Sequence, residues 1–131
     1  MAKRKLSSAE LLRGISALKP YPAVLTPAQG GYEIVFPNFP KLTAYGVKLA
    51  QAEQAGVDVL SLHLQGLLTE GHQPPKPSDP ERLIPDEDEP LGTTMTMLKP
   101  DKKAIKRRLG LEPAERGAAM AATLGRVGKY R

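Results

Sequence analysis

Tyr21-Pro22-Ala23-Val24-Leu25-Thr26 and Tyr32-Glu33-Ile34-Val35-Phe36, separated by Pro27-Ala28-Gln29-Gly30-Gly31, decide the fold. Both flanking stretches alternate with the period of two that belongs to a β-strand. Ala23 and Leu25 share one face of the first, with Val24 and Thr26 on the other. Tyr32, Ile34 and Phe36 share a face of the second, with Glu33 opposite them beside Val35. The paired glycines supply the positive φ that a tight reversal needs, so the spacing predicts a hairpin. Pro37-Asn38-Phe39-Pro40 ends the second strand, and Lys41 to Gly46 predicts a shorter third.

Beyond Gly46 the period lengthens. Leu49, Ala52, Gly56, Val59, His63 and Leu67 fall three or four apart, and Leu60, Leu64 and Leu68 widen the stripe. A helix over Val47 to Thr69, lying on the sheet and closed by Gly71, is predicted. On the other side of the hairpin, Ser7-Ser8-Ala9-Glu10 offers a serine cap with Glu10 reaching back, followed by Leu11, Leu12, Ile15 and Leu18. This predicts a short helix from Ser8 to Leu18, stopped by Pro20 and Pro22. His72 to Pro90 holds six prolines and the acidic block Asp86-Glu87-Asp88-Glu89, and reads as a linker. Thr93 to Lys99 alternates Thr and Met like a strand. Pro100-Asp101 opens a basic helix carrying Lys102, Lys103, Lys106, Arg107 and Arg108, ended by Gly110, and Pro113 is placed to start another.

The 131 residues suffice for one domain or a small domain with an appendage. The absence of cysteine excludes disulfides and thiolate metal sites. No apolar run nears the roughly 20 residues of a membrane span, and no signal-peptide core follows the basic Met1–Lys5 segment, which points to the cytoplasm. The net charge of +5 is segregated: residues 1–20 carry +4, 21–70 −2, 71–92 −4 and 93–131 +7. Basic ends around an acidic middle suit one polyanionic partner and one basic partner.

Catalytic constellations are sparse. Glu33, Glu53, Asp58 and Glu70 are the carboxylates of the central region, and Glu53 and Asp58 diverge around one helix. His63 lies on the apolar stripe and reads as a packing residue, and His72 has no visible partner. No serine sits in a nucleophile elbow, and Gly30-Gly31 does not open a phosphate-binding helix. These features argue against an enzyme, a cofactor or a metal.

The order of strand, glycine turn, strand, Phe-Pro bend, strand and long helix resembles the HicB family of bacterial antitoxins. Tyr21-Pro22-Ala23-Val24 looks like the family's opening strand, and Gly31-Tyr32-Glu33-Ile34-Val35-Phe36-Pro37 its second, with Pro40 following. Gly46 matches the glycine before the family's helix, and Ala52, Gly56, Asp58, Leu60 and Leu64 match its small, small, acidic, apolar, apolar sequence. Glu70-Gly71, then Pro75-Lys76-Pro77-Ser78, is similar to the family's signature after that helix. The chain departs from the family at Lys41-Leu42, where Gly-Cys is usual, and at Val47-Lys48, where Asp-Thr is usual.

The resemblance implies an α+β, partial ribonuclease-H-like fold: a three- to four-stranded sheet with one main helix packed on it, plus a basic C-terminal helical module. It divides the chain into a basic helical extension (1–20), a HicB-like domain (21–78), an acidic Pro-rich linker (79–92) and the C-terminal module (93–131). It implies an antitoxin that binds and masks a HicA-like mRNA-cleaving toxin, represses its own operon through operator DNA, and forms a homodimer or higher homo-oligomer. The alternative is a solitary DNA-binding regulator without a toxin. Toxin contacts are expected at Tyr32, Glu33, Asp86, Glu87, Asp88 and Glu89.

Two readings of the C-terminal module stay open. In one it resembles a ribbon-helix-helix unit, with Thr94 and Thr96 reading base edges, or Thr93, Met95 and Met97 if the face is reversed, and Lys102, Lys103, Lys106, Arg107 and Arg108 meeting phosphates. In the other, Thr93 to Leu98 is the last strand of the main sheet, with Met95 and Met97 in the core, and the helices beyond it form an oligomerisation or partner-binding extension.

Overall fold

The alternating segments do form the hairpin. In the computed structural model, which describes residues 6–82 and 91–111, β1 (Tyr21–Ala28) and β2 (Gly31–Phe36) pair antiparallel from Val24↔Val35 to Ala28↔Gly31. The loop shrinks to Gln29-Gly30, and Gly30 takes a φ of 78°, a conformation that favours glycine. β3 (Phe39–Gly46) pairs with β2. It starts at Phe39, two residues before the expected Lys41, because Pro37-Asn38 alone makes the reversal and Phe36 pairs with Phe39. Pro40 therefore lies within a strand, which an edge position tolerates.

α2 (Leu49–Thr69) lies on one face of the sheet. Its buried row is Ala52, Gly56, Leu60, Leu64 and Leu68, joined by Ser61. The expected stripe is thus rotated: Leu49 and His63 are exposed, and Val59 and Leu67 are half-buried. A row of fourth residues is inclined to the helix axis, as suits a helix crossing a twisted sheet. Gly56 sits at the closest approach; a Cβ there would lie 2.8 Å from Leu98 Cδ1 and 3.2 Å from Ile34 Cδ1. Lys48 has no side-chain oxygen to cap the helix, and Gln51 Oε1 instead accepts from the Lys48 N–H at 3.1 Å. Gly71 (φ 80°) closes the other end, with His72 N–H donating to Leu67 O and Gly71 N–H to Leu68 O, a Schellman closure.

The described elements before β1 and after α2 pack onto this unit. α1 (Ser8–Ser16) starts with a reciprocal box: Glu10 N–H donates to Ser7 Oγ and Ser7 N–H to Glu10 Oε1. β4 (Thr94–Leu98) pairs antiparallel with β1, giving the sheet order β3-β2-β1-β4. α3 (Lys102–Arg108) is capped by Asp101, whose carboxylate accepts from Ala104 N–H, and contacts α1 and α2. Ile15, Leu18, Leu98 and Ile105 belong to the same buried cluster as Tyr21, Ile34, Phe36 and Leu60. The described residues thus share one core across the expected boundaries at 20 and 93.

The segment after α2 is strapped to the sheet. Tyr21 Oη donates to Pro75 O. The Asn38 side chain donates from Nδ2 to Lys76 O at 3.1 Å and accepts from Ser78 N–H at 3.0 Å. One amide side chain thereby holds the backbone of Lys76–Ser78, as a neighbouring strand would. This gives the Pro75-Lys76-Pro77-Ser78 run its structural role.

Candidate partner-binding surfaces

Paired residues on neighbouring strands point to the same side of a sheet. Leu25, Ile34 and Ala44 lie in one row and face α2, while Val24, Val35 and Thr43 lie in the next row and face away. Met95 pairs with Val24 and Met97 with Pro22, so both methionines lie on the outer face too. Among the described elements, α1, α2 and α3 all sit in the helix layer. The outer face therefore offers Val24, Val35 and Met95 half-buried, and Thr43, Tyr45 (48% exposed) and Met97 (43% exposed) open to solvent. Glu33, exposed, stands on this face between Thr26 and Tyr45. Tyr45 Oη donates to Gln29 O at 3.0 Å, which lays its ring toward the hairpin turn.

The expected toxin contacts separate. Glu33 is on the outer face, whereas Tyr32 pairs with Pro27 and Gly46 on the helix side and packs half-buried against the core. One flat partner cannot meet both from the same side. Asp86, Glu87, Asp88 and Glu89 lie outside the described residues.

The expected DNA contacts also separate. Thr94 and Thr96 pair with Leu25 and Ala23 on the helix side of the sheet, Thr94 exposed at the strand's start and Thr96 half-buried. The strand is hydrogen-bonded into the main sheet, as the last-strand reading expected. The α3 cations differ in freedom. Lys102 Nζ donates to Ser16 O at 2.9 Å and Arg108 Nε to Gln65 Oε1 at 2.7 Å. Lys103 and Arg107 are exposed and Lys106 is half-buried. Lys99, Lys102 and Lys103 line one hollow with Leu18 and Pro20, so the α3 charge continues onto the end of β4.

The carboxylates do not converge. Among the described residues no group of three or more His, Asp or Glu side chains is placed to hold a metal. Asp58 accepts from Gln54 Nε2 at 2.9 Å. His63 stacks edge-on against Phe39 at 4.7 Å, and His72 Nε2 lies 3.6 Å from Glu70 Oε1. No described helix is long and apolar enough to cross a membrane.

No protein-family model matches the sequence, and no curated protein matches it. Solved structures do. One chain of a HicA3 and HicB3 toxin–antitoxin complex is 24% identical, with a TM-score of 0.52, over 63% of this chain and 99% of that one. A toxin–antitoxin complex from Streptococcus pneumoniae gives 20% identity and 0.58, over 80% and 97%. The antitoxin HicB3 gives 19% and 0.53, over 82% and 96%. The chain has the HicB antitoxin fold. Among the described residues, the outer sheet face and the α3 cations lie on different sides of this scaffold. Sequence reasoning missed Tyr45 as a member of the outer face, and the core placement expected for Met95 and Met97 is corrected: Met95 is half-buried and Met97 exposed, both on the face away from the helices. The alternation of Thr and Met was visible, but which strand it would pair with was not.

Proposed function

We propose that this protein is a HicB-type antitoxin and not a catalyst: it binds a HicA-like toxin and covers the surface with which that toxin would act on RNA. The observation that carries the reading is the fold shared with solved antitoxins, over almost their whole length. The toxin docks on the outer sheet face, where exposed Glu33 stands between Thr26 and Tyr45, next to the row of Val35 and Val24. An apolar patch with a single acidic group suits a basic protein partner.

The same reading gives the protein a second partner, operator DNA. Lys103, Lys106 and Arg107 of α3 meet phosphates there, which set affinity and register without reading sequence. Placement of α3 in the helix layer, away from the outer face, supports simultaneous binding of toxin and DNA.

The test is co-expression with the small open reading frame beside the gene. The neighbour alone should arrest growth; together, growth should return and the two chains should purify as a stable complex. A toxic neighbour that is neither bound nor silenced would sink the antitoxin reading and leave a solitary DNA-binding regulator.

A further inference from the structure

A hollow of about 680 Å³ opens between α1 and the segment that follows α2. Its size falls within the roughly 300–1,000 Å³ of small-molecule sites. Both walls are fixed by the fold. Ile15 and Leu18 anchor α1 and the turn after it in the core, and Lys102 Nζ ties the helix end at Ser16 O. The opposite wall, from Gly71 to Pro77, is held by the bond from Tyr21 Oη to Pro75 O and by that from Asn38 Nδ2 to Lys76 O. The space between them therefore does not depend on the rotamer of one side chain.

The lining has two chemical characters. Leu18, Leu68 and Tyr21 give it an apolar floor, and Pro74, Pro75 and Pro77 add flat pyrrolidine rings. Cations stand on both walls: Arg13 and Lys19 on the α1 side and Lys76 opposite, all three exposed. Among the described residues none of the three pairs with a carboxylate. Glu10 is the one acidic group among the described lining residues, and its Oε1 already accepts from Ser7 N–H at 2.9 Å in the α1 capping box. Three positive charges against one engaged carboxylate favour an anion. Their placement on opposite walls favours an anion with several charges in a row, and the floor favours a flat organic body attached to it.

We propose that this hollow binds a nucleoside polyphosphate, with the base on the floor of Leu18, Leu68 and the prolines and the phosphates between Arg13, Lys19 and Lys76. An arginine presents paired N–H groups to phosphate oxygens, and the lysines act as point charges beside it. The site is independent of the antitoxin reading. It lies on the helix side of the sheet, away from the face proposed for the toxin, and the α3 cations Lys103, Lys106 and Arg107 do not line it.

Titration calorimetry of the full-length chain with ATP, in buffer free of divalent cations, tests the proposal. ATP should bind with a Kd below about 1 mM and raise the melting temperature, as a ligand of the native state does. Adenosine meets no cation and inorganic triphosphate leaves the floor uncovered, so each should bind at least about tenfold more weakly. Arg13→Ala and Lys76→Ala alter exposed side chains on opposite walls. Each should weaken ATP binding at least about tenfold with an unchanged circular dichroism spectrum. Lys103→Ala, on α3, should bind ATP like the native chain. Absence of heat and of a melting shift at millimolar ATP overturns the proposal. So does triphosphate binding as tightly as ATP, or a loss in Lys103→Ala equal to that in Arg13→Ala, since either reduces the effect to general charge attraction. A single-stranded oligonucleotide that binds more tightly than ATP, and is lost in the same two variants, would reassign the hollow to nucleic acid and overturn it as well.

Discussion

Single side chains carry separable consequences. Glu33 is exposed and stands on the outer face, so reversing its charge disturbs no core contact. Glu33→Lys should leave the melting temperature within a degree or two and weaken a basic toxin's binding at least about tenfold, the equivalent of roughly 1.4 kcal/mol. Titration calorimetry against the purified toxin would read it; unchanged affinity would remove Glu33 from the interface. Tyr21 is the opposite case, 2% exposed and donating to Pro75 O. Burial holds its phenol above the ordinary value near 10. The folded value then exceeds the unfolded one, so the contribution is complete below about pH 10 and is lost as pH rises through the folded value. Tyr21→Phe should cost about 1 kcal/mol at neutral pH. It should also flatten the alkaline fall in stability relative to the native protein, measured as urea midpoints from pH 8 to 11. Gly46 shows a third kind of constraint: a Cβ there would come within 2.3 Å of Ala52 N and 2.7 Å of Ala52 Cα. Backbone cannot step aside as a flexible side chain can. Gly46→Ala should push α2 off the sheet and destabilise by more than about 2 kcal/mol.

At the scale of elements, sequence and structure part company where contacts join distant segments. The hairpin was legible because alternation, the Gly30 turn and the Phe-Pro bend are local signals. The start of α1, the C-terminal end of α2 and the start of α3 were legible for the same reason: Glu10, Gly71 and Asp101 act within their own turns. Without such a signal, α1 ends at Ser16, not Leu18, and α2 begins at Leu49, not Val47. The partner of β4 was not legible, since an uncharged alternating strand fits either a ribbon or a sheet edge. Nor was the Asn38 clamp, which depends on Lys76 and Ser78 passing the Pro37-Asn38 turn. α1 was read as an appendage because its own stripe is short. In the fold Ile15 is fully buried, and Gly14 lies so close to Leu68 that a Cβ would sit 2.9 Å from Leu68 Cδ2. Ile15→Ala should therefore cost about 2–4 kcal/mol, as for any aliphatic side chain removed from a packed core. Removing residues 1–18 should lower the melting temperature sharply, and calorimetry of the truncated chain would show it. A truncated chain as stable as the intact one would mean that α1 is an appendage after all.

For the whole molecule, the layering separates two kinds of chemistry. The sheet offers one broad, largely uncharged face, while α3 places its cations in the helix layer, close to Ser16 and Gln65. A partner gripping the sheet need not displace one bound to the cations. Phosphate contacts release counterions, so each contributes about 0.9 to the slope of log affinity against log salt concentration. Replacing Lys103, Lys106 and Arg107 together by Ala should reduce that slope by about 2 to 3, and should weaken operator and unrelated DNA alike. Fluorescence anisotropy across a salt series would measure both. Toxin binding by the same variant should be unchanged, because none of the three residues lies on the sheet. Loss of toxin binding together with DNA binding would mean that the two partners share α3, and that the faces are not independent. Unchanged DNA binding would move the nucleic-acid contact off α3 altogether.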